Sequence, residues 1–252
     1  MVDQMRISDD LNGVKKAVAN IFLLFVLCAG LVAGGCGPKR NVEDHTSLKH
    51  VALVFDDGPF PEQTGQFLTV FSNLNVRVTF ALVASNVQVF RTNALAILAG
   101  GHEIANHSYT HRKPSESDDV QLEREIVFGQ SVIVGSTGYT PSWYWPPFLE
   151  TDPRMSALYA KAGIKMFPFD KLVNTEDYDM SVSRWGIRKR ATRNVQDGSV
   201  IVFHEWRKET LQEIPRIIAE LKAMNCVFMT FSELGEERAS SEAKTSSKKI
   251  VE

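Results

Sequence analysis

Seven short runs rich in β-branched and aromatic residues, separated by stretches whose apolar residues recur at three- and four-residue spacing, restrict this chain to one broad kind of fold. The runs cover 51–55, 78–83, 102–106, 143–145, 165–169, 200–203 and 227–230, and the helical patterns between them include 61–74, 92–99, 120–134, 153–162 and 209–224. Strand runs that alternate with helical patterns predict parallel strands joined by crossover helices, an α/β fold. About seven parallel strands suit a distorted or incomplete (β/α) barrel. An open doubly wound sheet is the alternative, because periodicity carries no information on whether a sheet closes. With 252 residues, 44% of them hydrophobic, the chain has material for one full core, and a single catalytic domain over 49–234 is expected.

The segments outside that domain read as appendages. Lys15 and Lys16 precede an almost unbroken apolar run over 17–33, then Gly34, Gly35, Cys36 and a polar stretch. Residues 1–36 are therefore expected to be an export segment, either a lipoprotein-type signal or a retained membrane anchor, since the run approaches the ~20 residues that cross a bilayer. Ala33-Gly34-Gly35-Cys36 resembles the lipobox of bacterial lipoproteins, with Ala33 where Leu is usual. Either form places the body outside the cytoplasm at a membrane, attached through the anchor or a lipid on Cys36. Residues 37–48 read as a linker. Residues 235–252, rich in Ser, Lys and Glu, are expected to be a disordered tail. The 28 basic and 30 acidic residues leave a net charge of −2 and no footprint for nucleic acid. Cys226 is the one thiol of the body, so no internal disulfide is expected there, and it reads as a small core residue.

Within the expected strand map, chemistry-bearing residues fall at strand ends. Asp56-Asp57-Gly58-Pro59 closes the first run, His107 follows the third, Asp170 the fifth and His204 the sixth. In barrels, groups at the carboxyl ends of strands converge on one face. Adjacent carboxylates allow one to ligate a divalent ion while the other takes a proton from bound water. His107-x-x-x-His111, if placed on one helical turn, sends both imidazoles to one side and completes a two-His, one-carboxylate set. Such a set suits zinc, with cobalt, iron or manganese as alternatives.

Three strings carry a resemblance: Val54-Phe55-Asp56-Asp57-Gly58-Pro59, Gly101-His102-Glu103-Ile104-Ala105-Asn106-His107-Ser108-Tyr109-Thr110-His111, and Val200-Ile201-Val202-Phe203-His204-Glu205. They resemble motifs of the polysaccharide deacetylases, carbohydrate esterase family 4. The resemblance implies a distorted (β/α) barrel, Asp57, His107 and His111 as metal ligands, Asp56 as general base and His204 as general acid. It also implies a polysaccharide or oligosaccharide substrate, losing an acetyl group from nitrogen ahead of oxygen. Peptidoglycan and chitin-like chains are expected ahead of xylan.

The chain departs from the family where Arg-Pro-Pro-Tyr-Gly is usual, reading Trp145-Pro146-Pro147-Phe148-Leu149. The family's Arg orients the base through a charge-assisted pair that an indole does not make. Arg112, Arg184 and Arg188 are candidate substitutes. Phe148 is expected to offer a backbone N–H to the oxyanion, and Trp145, with Trp143 and Trp206, a sugar-stacking face. Asp170 or Asp177 is expected to support the acid or the base. The alternatives are a catalytically impaired, membrane-anchored glycan-binding protein and an amidase acting on a small non-sugar C–N bond.

Overall fold

The computed structural model describes residues 47–251, with side chains through Ala243. The expected export segment and nearly all of the linker lie outside the described residues. In chain order the elements are β1 (Lys49–Asp56), α1 (Gln63–Leu74), β2 (Thr79–Leu82), α2 (Ala84–Val89), α3 (Arg91–Ala99), β3 (Glu103–Asn106) and α4 (Asp119–Glu123). A π-helical turn over Arg124–Phe128 leads to α5 (Gly129–Thr137), β4 (Trp143–Tyr144), α6 (Met155–Ala162), β5 (Lys165–Met166) and β6 (Leu172–Asn174). The chain continues through α7 (Arg184–Thr192), β7 (Ser199–His204), α8 (Lys208–Ala223), β8 (Cys226–Met229) and α9 (Phe231–Val251).

All strand pairings are parallel, in the order β5-β4-β3-β2-β1-β7-β6, with β8 lying beside Lys49–Ala52 of β1. The topology forces the sheet to curl. Six strand spacings in a flat sheet would set β5 and β6 about 29 Å apart. The link from Met166 to Leu172 reaches about 20 Å at full extension. The outcome is a distorted, unclosed (β/α) barrel. The strand expected over 165–169 stops at Met166, ahead of Pro168, which has no N–H to give a ladder, and β6 begins only at Leu172, outside the expected run.

Side-chain alternation along β1 separates two cores and aims the chemistry. Val51, Leu53 and Phe55 face the helices, where Phe55 meets Phe67, Phe71 and Phe203 at ring-centroid distances of 5.1, 5.1 and 5.2 Å. Ala52 and Val54 face the barrel interior with Val200, Val202, Ala105 and Trp145. The same period-two rule puts Asp56 and His204, the last residues of β1 and β7, on the interior face. His107, one step beyond β3, shares the parity of Ala105.

The segment expected as a disordered tail is instead part of α9. Phe231 and Leu234 are fully buried inside the barrel, Phe231 stacking on Phe167 at 4.0 Å. Arg238 donates to the carbonyls of Pro168 (3.3 Å) and Gly198. These anchors nucleate a helix that good helix formers, Glu236-Glu237-Arg238-Ala239, then extend. No helix among the described residues is long and apolar enough to cross a membrane.

Candidate active site

The turn after β1 presents the first candidate ligand, Asp57. Asp57 sits at φ +74°, and Gly58 beyond it has no room for a side chain: an added Cβ would lie 1.6 Å from Glu205 Oε2. Trp206 Nε1 donates to Asp57 Oδ2 at 2.8 Å, which leaves Oδ1 as the oxygen that faces the histidines. Oδ1 lies 3.1 Å from His111 Nε2 and 3.5 Å from His107 Nε2. Burial acts to raise the Asp57 pKa, but the close imidazoles of His107 and His111 hold it well below the usual carboxylate range.

His107 and His111 meet through a loop rather than the helical turn expected from their spacing. Ser108 and His111 both take positive φ. The loop is tied by Ser108 N–H to Asn106 Oδ1 (2.9 Å), His111 N–H to Ser108 Oγ (2.9 Å) and the Thr110 N–H and hydroxyl to Glu125 (2.7 and 2.6 Å). His107 Nδ1 lies 2.6 Å from the Trp145 carbonyl. A carbonyl only accepts, so Nδ1 carries the proton; in the neutral imidazole this leaves Nε2, on the side of Asp57 and His111, as the nitrogen free to bind a metal. One atom from each of Asp57, His107 and His111 lies within 4.8 Å of the others. Two imidazole nitrogens and a carboxylate oxygen with no better partner fit a divalent ion.

Asp56 is 6% exposed. Its Oδ2 accepts from Trp145 Nε1 at 3.1 Å, while Oδ1 has no hydrogen-bond partner. Burial pushes its pKa up to about 6, against the pull of His107 and His204. The indole thus supplies the orienting donor that sequence reasoning sought elsewhere. Trp145 is fully buried, so it offers no face to a sugar. Arg184 and Arg188 turn to Glu213, and neither they nor the exposed Arg112 contacts Asp56.

His204 lies opposite, with Nδ1 2.7 Å from Asp177 Oδ1 and its backbone N–H 2.9 Å from Oδ2. Thr210 Oγ1 also donates to Asp177 Oδ2, at 2.6 Å. Burial disfavours the imidazolium, yet the Asp177 bond and the charges of Asp56, Asp177 and Asp57 raise its pKa to about 9. Asp177 is therefore the partner of His204, the candidate acid. Asp170 is not: it lies between β5 and β6, exposed and 3.2 Å from Arg238, against the cavity lined by His50 and Trp143 away from the active site. Trp143 donates to Ser232 there and likewise leaves the site.

These groups line a pocket of about 450 Å³ whose aromatic rim is Phe148, Tyr178 and Trp206. Phe148 holds φ +58° and its ring centre lies 4.6 Å from that of His111. Its turn is closed by the N–H groups of Leu149 and Glu150, leaving the Phe148 N–H outside that ladder. Sequence reasoning missed Glu205. It is 1% exposed, neither carboxylate oxygen has a hydrogen-bond partner, and burial pushes its pKa up to about 8.

Residues 43–167 match the family described as polysaccharide deacetylase. Among solved structures, a family 4 carbohydrate esterase from Streptomyces lividans, in complex with acetate, is 30% identical, with 71% of this chain and 91% of that chain covered at a TM-score of 0.66. A peptidoglycan-N-acetylglucosamine deacetylase of Bacillus cereus is 27% identical over 74% of this chain and 88% of its own length. The peptidoglycan-N-acetylglucosamine deacetylase PgdA of Listeria monocytogenes is 25% identical over 74% of this chain and 39% of its own. The chain spans 34% and 39% of the length of the first curated relatives it matches.

Proposed function

The chain belongs to the polysaccharide deacetylase family, carbohydrate esterase family 4, and from that membership we propose that it is a metal-dependent deacetylase removing acetyl groups, N-acetyl foremost, from a cell-envelope or chitin-like glycan. The observation that carries the reading is the facing of two sets across one pocket: Asp57, His107 and His111 with Asp56 on one side, and His204 with Asp177 on the other.

A divalent ion held by Asp57, His107 and His111, zinc first and cobalt, iron or manganese as alternatives, would polarise the acyl oxygen and acidify its water. Asp56 Oδ1, the oxygen without a partner, accepts the proton of the attacking water while Trp145 holds Oδ2 in place. The Phe148 N–H gives the developing oxyanion a donor. His204, held by Asp177 through Nδ1, presents Nε2 to the leaving nitrogen and donates its proton there. Phe148, Tyr178 and Trp206 give the sugar its apolar faces.

The impaired, glycan-binding alternative drew on the lost Arg beside the base. The Trp145–Asp56 hydrogen bond weakens that motive. The apolar run over 17–33 supports attachment of the catalytic body to a membrane on the outer side of the cell, by lipid or anchor. Acetate release from N-acetylchitooligosaccharides and from peptidoglycan, with added zinc or cobalt, with chelator and in Asp56→Asn, tests the assignment. Release that ignores the chelator and the substitution would overturn it.

A further inference from the structure

A second cleft of about 820 Å³ adjoins the active site on the side of α7 and α8. The same two segments line both: Tyr178 lines the pocket and Met180 the cleft, and Trp206 lines the pocket and Arg207 the cleft. A polymer with one sugar at Asp56 that continued along these segments would reach the cleft.

The cleft is built around surplus positive charge. Arg184, Arg188, Arg207 and Arg216 line it against two acids, Glu209 and Glu213. Three of the guanidinium groups converge on the single buried carboxylate of Glu213, at 3.8 Å (Arg184), 3.6 Å (Arg188) and 3.0 Å (Arg216). Arg207 pairs with Glu209 at 3.1 Å and also donates to the Val182 carbonyl. Arg188 has a second partner in Glu220 at 3.4 Å. Arg184 also donates to Gln212 Oε1 at 3.0 Å, and Arg184 and Arg216 keep side chains 51% and 60% exposed, so part of each remains open to solvent. One carboxylate is enough to fasten α7 to α8 through one arginine, and three cations leave a surplus. In a chain whose net charge is −2, that surplus makes a local positive field, which a concave wall focuses. Guanidinium forks match a carboxylate in a bidentate way. At the same cleft, Trp185 is 59% exposed, with Lys189 Nζ 4.7 Å from its ring centre. An exposed indole beside a cation suits a sugar ring that carries an acid.

We propose that this cleft is a distal subsite for a carboxylate borne by the glycan, so that the polymer preferred at the active site is an acidic N-acetylated chain rather than a neutral one. The proposal rests on the deacetylase reading for its polymer and deepens it by naming the substrate's charge. The carboxylate has two possible sources: an acid on the sugar itself or a peptide branch.

The test is the affinity of the full chain for three soluble probes: neutral N-acetylchitopentaose, peptide-free peptidoglycan glycan chains carrying only lactyl carboxylates, and the same chains with peptide stems. Each is titrated calorimetrically against wild type and the Arg184→Gln/Arg216→Gln double variant, with single Arg216→Gln as the milder version should the double variant not fold. The expected result is at least tenfold tighter binding of one or both acidic chains over the neutral one, erased in the double variant and reduced in the single, with neutral-chain affinity unchanged. Which acidic chain gains identifies the source. Equal affinity for neutral and acidic chains, or a preference that survives the substitutions, overturns the subsite. Acetate release from each of the three probes, measured alongside, separates the two readings. Release without acid preference sinks the subsite alone, and acid preference without release from any probe sinks the deacetylase reading alone.

Discussion

The two oxygens of Asp56 have different surroundings, one held by Trp145 and one free, and most of the proposed chemistry depends on that difference. Trp145→Phe keeps an aromatic ring in the barrel but leaves Oδ2 without its donor. A buried acceptor left unsatisfied costs about 1–3 kcal/mol of stability, and a comparable loss of orientation in the transition state lowers kcat about tenfold. Unchanged kcat in steady-state assays would show that Trp145 only packs. Asp177→Asn tests the acid. Asp177 favours the imidazolium and raises the His204 pKa to about 9, so removing its charge lowers that pKa and moves the alkaline limb of the kcat profile toward lower pH. A limb that stays in place would separate His204 from the rate. The clustering of Asp56, Asp57, His107 and His111, the proposed base and ligands, was legible in the sequence because Asp56-Asp57-Gly58-Pro59 and His-x-x-x-His lie within short strings. The Trp145 donor was not, because it reaches Asp56 across 89 residues of chain and depends on which way a buried indole points. The unpartnered Glu205 was illegible for the same reason, since its isolation is created by the packing of Gly58 over it.

Among the elements, the strands announced themselves through β-branched runs, and the period-two alternation of β1 and β7 carried Asp56 and His204 to the interior. Three features escaped that logic. The strand expected over 165–169 stops at Met166 ahead of Pro168, and Asp170 falls in the link to β6, away from the site. The loop from His107 to His111 brings the rings together with positive φ at Ser108 and His111, a geometry that helical spacing does not encode. The helix α9 looks polar after Gly235, yet Phe231 and Leu234 plug the barrel. Leu234→Ala therefore removes a fully buried side chain from the interior core. The expected loss is about 2–5 kcal/mol, read as a lower midpoint in chemical denaturation. A loss below about 0.5 kcal/mol, the level of surface substitutions, would show that α9 is not part of the core. The turn after β1 is equally specific. Gly58→Ala drives a Cβ into Glu205 and is expected to cost at least the ~1–3 kcal/mol typical of overpacking. Pairing it with Glu205→Ala should recover part of that loss, because the clash is with the Glu205 side chain. Additive losses would place the strain in the backbone instead.

For the molecule as a whole, the sheet curls because a short link joins its two edges, and the curl gathers Asp56, Asp57, His107 and His204 around one pocket. Alternating strands and helices were enough to expect a barrel, whereas the degree of closure followed only from the observed strand order. Helix packing also sets the charge landscape: Glu213, buried between α7 and α8, collects arginines that a linear reading had considered as partners for the base. The central claim joins ion binding to acetyl hydrolysis at separable residues, and one experiment reads both. The protein is stripped with chelator, reloaded with zinc or cobalt, and assayed for acetate release from N-acetylated glycan while bound ion is counted. Wild type should recover release with one ion per chain, Asp57→Ala should lose both ion and release, and Asp56→Asn should keep the ion and lose release. Release that persists in Asp56→Asn, or an ion bound at one equivalent in wild type with no release from any N-acetylated glycan, would contradict the account.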